Sequence, residues 1–336
     1  MINRITPFFG SLVLTLLLYS CNTNSWDIDI DNIVTDQEFK RFDKTLFELD
    51  VDSIWDKVPE LEIEYQNFFE VYNSHVIQIG GTNQLDYDSK LAYFLTDPDI
   101  YGSYLDAQKK INIDGIFNEI SDAFKRYKYY YPNKIIPNIY THISGFNQSI
   151  IIDSNYLSIA LDKYLGTKSK YYKLLRTPKY IRANMHAAKI PSDVIYSWVE
   201  TEFTFNNESE NLANKMIYYG KLQLFLDAML PQNPDTLKWG FSEQQLKWCN
   251  KNEAQMWLYL VENKLLFSSA FKDINKYIND GPFTSTFSQK SPARTGRWMG
   301  YQIVKAYLKE NPEVSLQNLM DNNNYQQILS QSKYKP

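Results

Sequence analysis

Residues 134–166, KIIPNIYTHISGFNQSIIIDSNYLSIALDKYLG, break the rhythm of an otherwise helical chain. Ile and Tyr crowd in, and turn residues stand at Gly145-Phe146-Asn147 and Asp153-Ser154-Asn155. β-Branched and aromatic residues between turn signals predict strands, here three short ones in a small antiparallel meander. Just upstream, Ile113, Ile116, Phe117, Ile120, Phe124 and Tyr127 fall on one helical face, and Pro132 ends it. RFDKTLFELD and LEIEYQNFFEVY, before Gly81, also space their apolar residues three and four apart. After Ser192 the helical period returns. ENLANKMIYYGKLQLFLDAMLP runs to Pro231, and the helix beginning at FSEQQL opens on a capping box, Ser242 with Gln245. No internal repeat or long linker appears past residue 40. The order predicts one α+β body over residues 39–336, mostly helical with one small antiparallel sheet.

The N-terminus reads as an export signal. Arg4 is followed by an apolar run from Pro7 to Tyr19, too short and wrongly flanked for a membrane span. Leu18-Tyr19-Ser20-Cys21 looks like a bacterial lipobox, with Tyr19 bulkier than usual. The resemblance implies removal of residues 1–20 and lipid (palmitate among it) on the Cys21 thiol. An ordinary secretory signal containing a cysteine is the alternative. Residues 21–38 are polar and acidic, as suits a flexible tether. Asp27, Asp29 and Asp31 alternate with Ile28 and Ile30, so a short edge strand is the other reading.

The chain has 336 residues, 35 Lys and Arg, 39 Asp and Glu, and a formal charge of −4. Losing residues 1–20 removes Arg4 and no acid, which makes it −5. Modest acidity without a basic cluster argues against nucleic acid. With Cys21 acylated, Cys249 is the last cysteine and has no partner for a disulfide. Beside Trp248 in a helical pattern, it reads as a small buried hydrophobe.

A search for chemistry finds little. His75, His142 and His186 are far apart in sequence, and His142, in the strand region, stands out most. There is no His-Glu-x-x-His, paired-cysteine, Gly-x-Ser-x-Gly or phosphate-loop motif. A metal site needs three or more converging ligands, so each lone histidine reads as structural. Glu200 and Glu202, two apart on a helix, point to different faces, as do Glu208 and Glu210. No catalytic residue, metal ligand or cofactor is predicted. The most specific polar feature is SPARTGRWMGYQIVKAYL, residues 291–308. Ser291 reads as its N-cap and Pro292 as its first residue. Gly296 and Gly300 form a close-packing stripe, and Arg294 and Arg297 share a face near the positive end of the helix dipole. Arginine forks suit partner carboxylates, which makes these two the candidate partner-binding residues. The plainer reading is ion pairing to nearby acids.

Taken in order, RFDKTLFELD, YYYPNKIIPNIYTHISGFN, SIALDKYLG, MIYYGKLQLFLDAMLP, KWCNKNEAQMWLYLVENKLLFSS, SPARTGRWMGYQIVKAYLKENPEVSLQNLM and SQSKYKP resemble the gliding-motility lipoprotein GldB family of Bacteroidetes. The resemblance covers nearly all of the mature chain. It implies an envelope lipoprotein needed for gliding, lipid-anchored at the outer membrane and facing the periplasm. It also implies partners in the gliding and secretion machinery and no catalytic residues. A fainter resemblance runs to zincin-like metallopeptidase folds. There the helix matching IPSDVIYSWVETEF would carry the zinc histidines, and here it carries none. MIYYGKLQLF offers Tyr218 and Tyr219 where a third ligand would come. That likeness implies a degenerate pseudo-peptidase with its old centre filled. Three functions compete: a non-catalytic docking lipoprotein, a hidden hydrolase using an unrecognised acid pair, and a glycan-binding lipoprotein suggested by 26 Tyr and 7 Trp.

Overall fold

The computed structural model describes residues 26, 28–206 and 209–336. The export signal, Cys21, Asp27 and Glu208 lie outside the described residues. The first half runs through α1 (Phe42–Phe47), α2 (Ile54–Tyr65), α3 (Asn67–Val71), α4 (Tyr87–Thr96), α5 (Pro98–Lys110) and α6 (Ile113–Tyr130). After the strands come α7 (Lys170–Leu174), α8 (Lys179–Arg182), α9 (Ile190–Glu202) and α10 (Leu212–Met229). The chain closes with α11 (Asp235–Trp239), α12 (Glu243–Glu262), α13 (Phe271–Ile278), α14 (Thr295–Glu310), α15 (Leu316–Asp321) and α16 (Tyr325–Ser332). The α+β, mostly helical reading is borne out.

The sheet corrects one expectation. Its strands are β1 (Phe39–Lys40), β2 (Asn138–His142), β3 (Ile150–Ile152) and β4 (Tyr156–Ala160), in the order β1-β2-β4-β3. Only β3 and β4 pair antiparallel; β2 lies parallel to both β1 and β4. The sheet is therefore mixed, and β3 sits at an edge instead of the centre. Burial explains the order. All five residues of β4 are buried, as a strand flanked on both sides requires, whereas Ile150 and Ile152 are half-exposed.

One hydrophobic cluster of buried residues runs from Phe42 to Ile328, and Trp26 packs against it. Of the stretch 21–38, expected to be a tether, Trp26 and parts of residues 28–38 lie on the body before β1. Ile30 is buried, and Gln37 donates its side-chain amide to the Pro137 carbonyl at 2.8 Å. The second half is organised around the crossing of α10 and α14. A Cβ on Gly300 would lie 1.7 Å from the Met216 carbonyl oxygen, and one on Gly220 would lie 2.3 Å from the Gly300 carbonyl carbon. The two backbones touch there because neither residue has a side chain. Gly296 meets Tyr277 in the same way, so the small-residue stripe read from sequence is a packing surface.

The start of α14 also differs from the sequence reading. The helix begins at Thr295, with Arg294 as N-cap at φ 59°. Ser291 is fully buried. Its hydroxyl accepts from the Thr284 amide at 3.2 Å and donates to the Ser288 carbonyl at 2.6 Å, bonds that close a loop instead of capping a helix.

Candidate functional site

The N-terminal ends of α9 and α14, the middle of α10, the edge of β3 and the segment 163–189 enclose a polar cleft. Its three adjoining cavities measure about 60, 280 and 400 Å³, and Asp193 lines all of them. Asp193 and Tyr196 are three apart, so they face the cleft together while Val194 and Ile195 enter the core. Lys189 donates to one Asp193 oxygen at 2.5 Å and the Tyr164 hydroxyl to the other at 3.1 Å.

Arg294 and Arg297 both line the inner, 60 Å³ cavity, yet neither is the free surface group that its spacing suggested. Arg294 donates to the Trp239 carbonyl at 2.7 Å, and its Nε lies 2.9 Å from Asp280 Oδ1 as an ion pair. Burial draws its guanidinium below the usual arginine value, against the pull of Asp280. Arg297 donates to the Ile278 carbonyl at 2.7 Å and to the Tyr196 hydroxyl at 2.8 Å, and it stacks 3.9 Å from the Tyr219 ring centroid. The plainer reading, pairing with an acid, holds for Arg294. Arg297 has no carboxylate within ion-pair distance among the described residues. Gln223 lines the same cavity, buried, with its Nε2 unpartnered. The cavity is therefore rich in donors, with one acid already engaged.

Lys189, Asp193, Gln223 and Tyr164 were missed in the sequence. Only the Asp193–Tyr196 spacing hinted at them, and on a helix that spacing is commonplace. The other sequence candidates separate. His142 is fully buried in β2 with Nδ1 2.7 Å from Ser158 Oγ, and burial pushes its pKa down to about 3. His75 is exposed and His186 half-buried. Glu202 accepts from the Tyr127 hydroxyl at 2.8 Å, while Glu200 feels Arg297, so the two do point apart. Cys249 is fully buried, its thiol pushed up to about 12 by burial. Of the exposed aromatics, Tyr180 lines the 280 Å³ cavity, while Trp55, Tyr93, Tyr129, Phe267 and Phe271 line none of the cleft cavities.

The donors in the cleft do not fit a zinc ion. Zinc favours imidazoles and free carboxylates or thiolates. The residues lining the cleft include no histidine or cysteine, and Asp193 is taken by Lys189 and Tyr164. Among the described residues no three His, Cys, Asp or Glu are placed to share a metal.

This is a mostly helical α+β protein whose one small sheet walls a donor-rich polar cleft. The chain belongs to the GldB family: the family model described as gliding motility protein GldB matches residues 23–336. No curated protein and no solved structure matches it. Membership fits a lipoprotein of the gliding-motility type. Among the described residues no helix is long and apolar enough to cross a membrane.

Proposed function

We propose that this protein is a non-catalytic docking component of the gliding machinery, anchored through Cys21 at the outer membrane and facing the periplasm. The observation that carries this reading is the inner wall of the cleft. Arg297 is held on three sides, by a carbonyl, a hydroxyl and a ring, beside a buried amide with no partner. Pre-ordered donors of this kind suit recognition of an acidic group on a partner, because little side-chain freedom is lost on binding. They suit hydrolysis less well, since the described residues lining the cleft include no histidine or cysteine to serve as base or nucleophile.

The protein purified from residue 22 onward should hold no stoichiometric zinc after dialysis and should cleave no peptide or ester substrate. One zinc per chain, lost together with a hydrolytic activity on replacing His142 or His186, would favour the hidden hydrolase instead.

A further inference from the structure

Residues 163–192 contain eight lysines and arginines and no acid, in a chain whose formal charge is −4. The bases are spread two to seven residues apart, so no run of them catches the eye, and the sequence reading of no basic cluster missed them. Folding gathers them. Lys168, Lys170, Lys173, Arg176 and Lys179 are exposed and Arg182 is half-exposed. None of these six is in an ion pair among the described residues. The nearest acids along the chain are already spent. Asp162 is fully buried and accepts from Ser144 and from the Phe146 amide, and Asp193 is held by Lys189. Across the cleft, Asp280 is paired with Arg294.

The same segment projects apolar side chains. Leu174, Leu175, Tyr180 and Ile181 are 67%, 55%, 37% and 42% exposed, two adjacent pairs that the cations flank. The first pair sits on a rigid tip. Thr177 N–H bonds the Tyr172 carbonyl at 2.9 Å and Arg176 N–H the Lys173 carbonyl at 3.1 Å, the double bond pattern that closes a helix end. Arg176 stands at φ 52°, where glycine is the favoured residue. A cation is thus kept at the tip despite a conformation that strains it.

We infer that this lobe, residues 168–182, is a membrane-contact surface for anionic lipid headgroups, with Leu174, Leu175, Tyr180 and Ile181 as its inserting tips. Two observations favour a lipid surface over an acidic protein. Isolated apolar pairs rimmed by flexible lysines match an interface in which the tips reach the acyl boundary and the amines stay among headgroups. The leash is also short. Trp26 packs on the body, five residues after Cys21, and five residues span at most about 17 Å. A lipid on Cys21 therefore holds the body against a headgroup layer. An acidic body is repelled there over most of its surface, and its acid-free lobe is the face electrostatics would turn inward. A lipid chain plus a basic apolar patch is the two-signal arrangement that makes peripheral anchoring stable.

The short leash depends on a lipid at Cys21; the vesicle experiment does not. The unlipidated chain from residue 22 contains the whole core cluster. Its partition is measured onto vesicles of phosphatidylcholine with and without 30 mol% phosphatidylglycerol (about one lipid in three, a probe composition), at low and at higher salt. The expected result is binding to the anionic vesicles alone, weakened by salt, and about five-fold weaker for each of Lys173→Gln, Arg176→Gln and Lys179→Gln. Leu174→Asp with Leu175→Asp should abolish it, with an unchanged melting curve as the control for folding. Equal binding to neutral vesicles, no binding at low salt, or indifference to these substitutions overturns the inference. So does tighter binding to a polyglutamate peptide than to the vesicles, which would make the lobe a site for an acidic protein. Release of Cys21→Ala from the membranes of cells reports on the lipid separately.

Discussion

Arg294 and Arg297 were legible as a pair and illegible in their setting. Three-residue spacing put them on one side of the chain, and they do line one cavity. Spacing cannot tell that carbonyls from α11 and α13 come to meet them, because those contacts link residues 55 and 19 positions apart. Their removal would therefore cost structure as well as any docking, and a clean test must use a neighbour that holds nothing. His142 shows the reverse case, a residue whose plain reading was right. A histidine whose folded pKa, about 3, lies below the ordinary 6.5 takes up its proton more readily once unfolded. Its contribution is fully present above pH 6.5 and is lost as pH falls toward 3, by about 1.4 kcal/mol per pH unit at most. In urea titrations at pH 7, 5.5 and 4, the stability gap between the wild type and His142→Gln should narrow steadily. A gap that stays constant would mean that this imidazole takes up its proton equally in the folded and the unfolded protein.

At the level of elements, the strong helical periods were readable and the sheet order was not. The helix containing Ile113–Tyr130 and the capping box at Ser242 appear where the pattern put them. The strands appeared too, but read as a meander they put β3 between its neighbours, when it is an edge. What decides their order is burial from helices on either side, and no local window records that. β1, only two residues long, carries no signal of its own. The start of α14 failed because Ser291 was claimed by a loop bond to the Thr284 segment. The glycine stripe was legible because small residues four apart on one face have few other uses. Gly300→Ala drives a methyl into the Met216 carbonyl, where backbone must move. It should lose about 3 kcal/mol or more, read as a lower urea midpoint. A variant within 1 kcal/mol (roughly the scatter for a surface change) would show that α10 and α14 slide apart easily.

For the whole molecule, composition averaged away the feature that matters most for its orientation. A formal charge of −4 hides a thirty-residue stretch with no acid, and only folding shows those cations on one lobe beside the cleft. Tyr180 and Ile181 belong to both, since they line the 280 Å³ cavity as well as the lobe. A body held at the membrane by that lobe would present the cleft near the headgroup layer, to proteins that are themselves embedded there. Family membership was legible in full, from motifs spread along the chain; the cleft was not, because its walls come from segments scattered between residues 148 and 297. The central claim, that gliding depends on the cleft being open, is tested most directly at Ser197. It lines the 400 Å³ cavity, is half-buried, and its side chain makes no hydrogen bond among the described residues. Ser197→Trp should fill the cleft with bulk while keeping the melting temperature within a few degrees (roughly 1 kcal/mol). The measurement is colony spreading of cells whose only copy carries this substitution, with protein level and melting checked alongside. Cells that hold folded, membrane-bound protein and do not spread are the predicted result; cells that spread like wild type would contradict it.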